Sequence, residues 1–335
     1  LSTEEDGVYF DLNLNVKNET LRIHDGKTYE VSQNGTIGLV IADTDEGIPG
    51  GGNLQISGKG VEVTLTNSKN TFSGVASVVD GATLVLGAAD VVAKAARLSV
   101  DAGSYAKFGS FDQHVNQILA GNSEGGSLVS ASGQGNTLTV AAGGSVAGAN
   151  DNFHLNWALN AGELQINNVM SLGTGSAEVS DGASIVITGA EGEFKNALTG
   201  AGDLRVTNGA NVELAGDNKL TGGMHVESGA HVSAAGDVKS HLGTGPIVLD
   251  RDGIAGFELT EAGQATDGVW TWSNSVTGAG QLTVALGEAI SDAEELQLST
   301  DSLSGFGGEL LADNWYLTLD ASATADGDTL VGLHK

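Results

Sequence analysis

The sequence predicts an all-β fold, a parallel β-solenoid of roughly 15 coils running through residues 1–335 at roughly 20–25 residues per coil. Three observations predict it. Short runs of alternating apolar residues recur almost everywhere, glycine-led turns follow many of them, and longer blocks repeat imperfectly. Glycine supplies 51 of the 335 residues and proline only 2, a mixture suited to short strands joined by tight turns. Apolar residues make up 40% of the chain and stand in alternating runs, which argues against low-complexity disorder.

The alternating runs, in chain order, are residues 83–86 (TLVL), 137–140 (TLTV), 163–166 (ELQI), 184–187 (SIVI), 203–206 (DLRV), 281–284 (QLTV) and 316–319 (YLTL). Alternation puts every second side chain on one face of a strand. Turns of the form Asp80-Gly81-Ala82, Asp181-Gly182-Ala183, Asn208-Gly209-Ala210 and Ser228-Gly229-Ala230 adjoin such runs. The glycine accepts a positive φ at the bend, and the small alanine returns the chain to a packed layer. Helix is expected only as short pieces, with residues 88–96 and 292–298 as the candidates.

A longer repeat overlies these units. Gly52-Asn53-Leu54 leads to Asn70-Thr71-Phe72-Ser73-Gly74 and then to Asp80-Gly81-Ala82. Gly202-Asp203-Leu204 leads in the same way to Asn218-Lys219-Leu220-Thr221-Gly222 and Ser228-Gly229-Ala230. A weaker third copy joins Gly280-Gln281-Leu282 to Asp301-Ser302-Leu303-Ser304-Gly305. The repeat-like blocks are therefore about 52–87, 200–236 and 275–320, and Leu-Gly-Thr-Gly recurs at 172–175 and 242–245. A β-sandwich array or a propeller would need hairpins, and the Asn-Gly pairs at 34–35 and 208–209 do not sit regularly between matched strands. Stacked coils answer the pattern better: each buries too little alone and is completed by its neighbours.

The block from Gly200 to Ala230, with its Gly200-Ala201-Gly202-Asp203-Leu204 opening, Leu214-Ala215-Gly216-Asp217-Asn218 middle and Leu220-Thr221-Gly222-Gly223 turn, resembles the passenger-associated transport repeat of bacterial autotransporters. Phe72 keeps the family's aromatic before the Thr/Ser-Gly turn, Leu220 replaces it, and Asp301 stands where the third copy should carry Asn. The resemblance implies a right-handed parallel β-helix, secreted across the outer membrane and displayed on the bacterial surface. It further implies adhesion to a host surface or matrix protein or glycan, or self-association into aggregates and biofilm; one branch of the family is proteolytic. In this reading Asn70, Phe72, Gly74, Asn218, Leu220 and Gly222 are structural repeat positions.

Charge and motifs limit the other function classes. Formal net charge is −28, from 42 acidic against 14 basic residues, and the arginines stand singly at Arg22, Arg97, Arg205 and Arg251. Without a basic patch to neutralise phosphates, nucleic acid is not an expected partner, and anionic lipid is disfavoured for the same reason. No cysteine is present, so disulfides and thiolate metal sites are excluded. No apolar run approaches the roughly 20 residues of a membrane helix, and Leu1 does not open a signal segment. Gly-Asp-Ser-Gly, the nucleophile motif of the protease branch, does not occur.

No cofactor, metal or catalytic residue is assigned. His225, His231 and His241 lack the close spacing of a zinc motif, and Asp43-Thr44-Asp45-Glu46-Gly47 alternates oxygen ligands without the downstream glutamate of a calcium loop. Trp270 and Trp272 alternate on one strand, so both indoles share a side: outside they would form a contact patch, inside they would fill the core. The leading reading is an adhesin without enzymatic activity. The alternative is a β-helical polysaccharide hydrolase, which would need paired carboxylates on adjacent coils.

Overall fold

Local structure follows the alternation. In strand Asn53–Ile56, Leu54 and Ile56 are completely buried while Asn53 and Gln55 remain half-buried, and Val75–Val78, Thr83–Leu86 and Asp203–Thr207 repeat the pattern. All seven alternating runs are strands. The computed structural model describes residues 19–44, 51–121, 126–131, 135–236, 238–259, 269–286, 295–298, 300–313, 316–319 and 330–334. The chain divides into two compact units, one of residues 1–165 and 170–176, the other of 166–169 and 177–335. Each is a parallel β-solenoid.

In the first unit, Thr28–Val31, Asn53–Ile56, Val75–Val78, Arg97–Val100, Ile118–Ala120 and Gly144–Val146 lie side by side as one parallel sheet. Gly35–Ile37, Glu62–Leu65, Thr83–Leu86, Tyr105–Phe108 and Leu128–Ser130 form a second. Gln113–Val115, Thr137–Val140 and Asn156–Leu159 form a third. In the second unit the chain visits three sheets in turn: Ala183–Thr188, Asp203–Thr207, Gly223–Val226 and Ile247–Leu249 on one, Glu191–Phe194, Asn211–Leu214, His231–Gly236, Ile254–Leu259 and Gln281–Leu286 on the next, and Ala177–Val179, Leu198–Gly200 and Lys219–Leu220 on the third. Every one of these pairings is parallel, so each strand stacks on the strand one coil away.

The units together hold about 10 coils, against the fifteen expected. Loops lengthen some coils beyond 25 residues: Ser184 pairs with Asp203, nineteen positions on, but Ile118 pairs with Gly144, twenty-six on, and Ile247 with Val276, twenty-nine on. Helix among the described residues is confined to Val238–Leu242 and a 3-10 turn at Thr300–Leu303. Residues 88–96 form no helix, and the described part of the 292–298 candidate is a strand. Residues 88–96 are consecutive turns that bury Val91, Val92 and Ala95, and Glu295–Leu298 is a strand held by parallel pairing to Val269–Trp272.

The first two repeat blocks adopt the same local structure. Asn53–Ile56 and Asp203–Thr207 open them, Glu62–Leu65 and Asn211–Leu214 follow, and Val75–Val78 and Gly223–Val226 come after the corner. At that corner Asn70 and Asn218 are buried, Phe72 and Leu220 fill the interior, and glycine is required. A Cβ at Gly74 would lie 2.5 Å from the Gly52 carbonyl oxygen, and one at Gly222 would lie 2.4 Å from that of Gly202, so only glycine lets the coil close on its predecessor. The third copy is out of step. Gln281 stacks through Ile254 and His231 on Asn211, not on Asp203, so the Gly-x-Leu opening there occupies a different face.

Asn208-Gly209 likewise makes a corner and not a hairpin. Both residues take positive φ, 54° and 69°, but the strands on either side belong to different sheets. Ala82, Ala183, Ala210 and Ala230 are all buried directly after their turns.

The buried asparagines bind three coils at once. The Ile41 N–H donates to Asn70 Oδ1 at 2.9 Å, and Asn70 Nδ2 donates to the Val91 carbonyl at 3.0 Å. Asn218 takes the Leu198 N–H at 2.8 Å and donates to the His241 carbonyl at 2.8 Å. Asn150, which lies outside the three repeat-like blocks, takes the Leu128 N–H at 2.9 Å and donates to the Ser171 carbonyl at 2.7 Å. Replacing Asn218 by Ala leaves two inward-facing backbone groups unpaired, at about 1–3 kcal/mol each. We expect a large fall in the urea midpoint for Asn218→Ala, and a change within about 0.5 kcal/mol for Asn152→Ala at an exposed turn.

Candidate functional site

With the interior filled by aliphatic and aromatic residues and by corner asparagines that bond backbone groups, the polar side chains open to a partner stand at the outward positions, where stacking brings together residues about one coil apart in sequence. A cluster of polar side chains bonded from coil to coil lies on one sheet of the second unit. In strands Ala183–Thr188, Asp203–Thr207 and Gly223–Val226, Ile185, Leu204 and Met224 point inward, and so do Ile187, Val206 and Val226. The intervening positions place Asp203, Arg205, Thr207 and His225 outward on adjacent coils, with Glu227 and Asp250 at the corners that follow.

These side chains bond across coils. The Arg205 guanidinium donates through Nη2 to Glu227 Oε1, and Thr207 Oγ1 donates to Glu227 Oε2 at 2.6 Å. Ser184 Oγ donates to Asp203 Oδ1 at 2.9 Å, and His225 Nε2 lies 3.0 Å from Asp250 Oδ1. The Arg205 and Glu227 side chains are 32% and 24% exposed, so solvent screens the pair only in part. The Thr207 hydroxyl first, and then the Arg205 guanidinium, hold the Glu227 carboxyl below the usual carboxylate range. Asp112, on the other unit, is lowered in the same direction by the Thr137 N–H and the Asn136 amide. Carboxyls lowered in this way suit ion pairing and hydrogen-bond acceptance; a general acid needs the opposite shift.

The residues singled out from sequence fall elsewhere. Asn70, Phe72, Gly74, Asn218, Leu220 and Gly222 form the corner interior described above and are not brought into this cluster. Trp272 corrects the contact-patch reading. It is 2% exposed, packs on Phe257 at 5.6 Å between ring centroids, and donates through Nε1 to the Asn274 carbonyl at 2.6 Å. A strand beside a sheet of large aliphatics gains more by burying its indole than by presenting it. The side chain of Trp270 lies outside the described residues. Trp157 is also core, its ring tilted against Phe153 at 5.3 Å between centroids.

The histidines take separate partners: His225 has Asp250, His231 has Asn211 and His241 has the Gly216 carbonyl. Among the described residues no group of three or more His, Asp or Glu side chains is placed to hold a metal. Asp43 of the calcium candidate spends its carboxylate on the Gly52 N–H at 2.7 Å and the Ser73 hydroxyl at 2.6 Å, while Asp45, Glu46 and Gly47 lie outside the described residues. Glu227 and Asp250 escaped sequence reading altogether. The signal was available only as a spacing of twenty to twenty-five residues among Arg205, His225, Glu227 and Asp250, which is legible once the coil register is known.

No family model, curated protein or solved structure matches the chain.

Glu227 gives the cluster a measurable pH signature. Its lowered carboxyl contributes stability that is complete above the unfolded value of about 4.3 and is lost as pH falls through the lower folded value. For this partly exposed pair the contribution is about 1 kcal/mol or less. Glu227→Gln should therefore be less stable than the parent at pH 7, with the difference shrinking as pH is lowered into the acid range in urea titrations; a difference that stays constant as the pH falls would contradict the assignment.

Proposed function

We propose that this chain is a surface-displayed passenger of a bacterial autotransporter, wound as a right-handed β-helix and secreted across the outer membrane, that works as a binding scaffold and not as an enzyme. Its partners in this reading are a host surface or matrix protein or glycan, or a second copy of the chain, which leads to aggregation and biofilm. The observation that carries the proposal is the structural equivalence of blocks 52–87 and 200–236. The motif positions of the transport repeat, Asn70 with Asn218, Phe72 with Leu220 and Gly74 with Gly222, occupy matching places at matching corners.

The right-handed winding is supported by the strong preference of parallel crossover connections for that hand. A binding role draws support from the outward faces. Their side chains are polar and half-exposed, and in the Glu227 cluster they are joined by bonds from coil to coil. Many weak contacts along such a face add up through multivalency. Among the described residues, no helix is long and apolar enough to cross a membrane.

The test is display. Bacteria that present this chain on their surface should settle faster than cells presenting an unrelated β-helix, or be retained on matrix-protein or glycan arrays. Equal behaviour in both assays, or turnover of polysaccharide by the purified chain, would overturn the reading.

A further inference from the structure

The two Asn-Gly pairs of the sequence, Asn34-Gly35 and Asn208-Gly209, join strands of different sheets and make no hairpin. They share a chemistry. The backbone nitrogen of the glycine, unhindered by a side chain, attacks Cγ of the asparagine: the new N–Cγ bond closes a succinimide ring, the Cγ–Nδ2 bond breaks, and ammonia leaves with the proton given up by the glycine N–H. Water then opens one of the two ring C–N bonds, and which bond opens decides between aspartate and isoaspartate. The reaction consumes only water.

The fold treats the two pairs differently. Gly35 belongs to strand Gly35–Ile37 and is paired in register with Val63, while Asn34 Oδ1 accepts the Glu62 N–H at 2.7 Å. Ring closure at Asn34 therefore requires the strand end to lift and the side chain to release Glu62. Asn208 and Gly209 form an exposed turn with φ of 54° and 69°. Among the described residues, neither the Asn208 amide nor the Gly209 N–H takes a hydrogen-bond partner. Turn glycines at other corners do: the Gly81 N–H donates to Ser104 Oγ at 3.0 Å, and that of Gly229 to the Asp252 carbonyl at 3.0 Å. At 208–209 both reacting groups are thus unbound and open to water, and rearrangement of a single turn brings them together without unpairing a strand.

The position gives the reaction a consequence. Asn208 follows Thr207, whose hydroxyl donates to Glu227 Oε2 at 2.6 Å, so a carboxylate at 208 adds a negative charge beside the Glu227 cluster, and a like charge disfavours the ionised carboxyl there. Isoaspartate also lengthens the backbone inside a corner that the Ala210 N–H closes on the Thr207 carbonyl at 3.1 Å and that seats Ala210 in the core.

We propose that Asn208 is a self-modifying site, converted with Gly209 to aspartate and isoaspartate in the folded protein while Asn34 is protected, and that the new carboxylate loosens the bonding among Arg205, Thr207 and Glu227. This chemistry needs no partner and is independent of the display reading above.

Peptide mass mapping with isoaspartate detection tests it, on the chain held folded in mildly alkaline buffer and on the same chain held in concentrated urea. In the folded chain Asn208 should convert about tenfold or more faster than Asn34, and in urea that gap should close. Conversion of Asn34 as fast as Asn208 in the folded chain, a folded chain in which neither converts although both convert in urea, or a gap that persists in urea would each overturn it. Asn208→Asp stands in for the aspartate product. The stability lost through Glu227→Gln at pH 7 should be smaller in the Asn208→Asp background than in the parent; an equal or larger loss would overturn the coupling to the cluster.

Discussion

Parallel stacking creates a problem at every corner, and the rest of the structure depends on how that problem is met. Along the strands each coil satisfies the backbone of its neighbours, but where the chain turns, N–H and C=O groups point inward with no strand opposite them. Buried backbone groups must be paired. Asn70, Asn150 and Asn218 each supply one acceptor and one donor at such a point, tying the coil before to the coil after. Gln113 does part of the same work by donating to the Ala88 carbonyl at 2.6 Å. Gly74 and Gly222 are the complementary requirement, because the coils that these asparagines join lie too close for a Cβ.

This arrangement separates stability from function. Inward residues and corner asparagines are committed to the stack, which leaves the outward rows as the places where sequence can vary without cost to the core. Two such rows illustrate it. The Glu227 cluster uses Arg205 and His225 from paired positions, and Ser99, Leu119 and Ser145 form an outward row on three successive coils. A solenoid therefore assembles a surface from residues far apart in sequence, and the coil length decides which residues meet.

Coil length is also what limited the sequence reading. Strands such as Thr83–Leu86 and Asp203–Thr207 were plain because alternation is a local property. The structural role of Asn70 and Asn218 was legible because two blocks share their spacing. Asn150 was not, since Asp151 and Asn152 separate it from Phe153 and the turn motif is lost. The third block carried the right residues at the wrong phase, and nothing short of the pairing of Gln281 with Ile254 reveals that its opening sits on another face. Trp272 could be placed on one side of its strand by alternation, but which side was interior depended on Phe257, fifteen positions earlier on a different strand and so invisible to any local pattern. The outward clusters were hidden for the same reason: variable coils, of nineteen to twenty-nine residues between paired positions, defeat any fixed spacing.

The most direct test of coil-on-coil stacking uses the absence of native cysteine. Ser77, Ser99, Leu119 and Ser145 are successive register partners, so spin labels on Ser77→Cys and Ser99→Cys should sit one coil apart, about 5 Å, and those on Ser77→Cys and Ser145→Cys three coils apart, about 14 Å. Continuous-wave electron paramagnetic resonance should give strong spin–spin broadening for the first pair and much weaker broadening for the second. Equal broadening, or the reverse order, would contradict the parallel stack on which everything else rests.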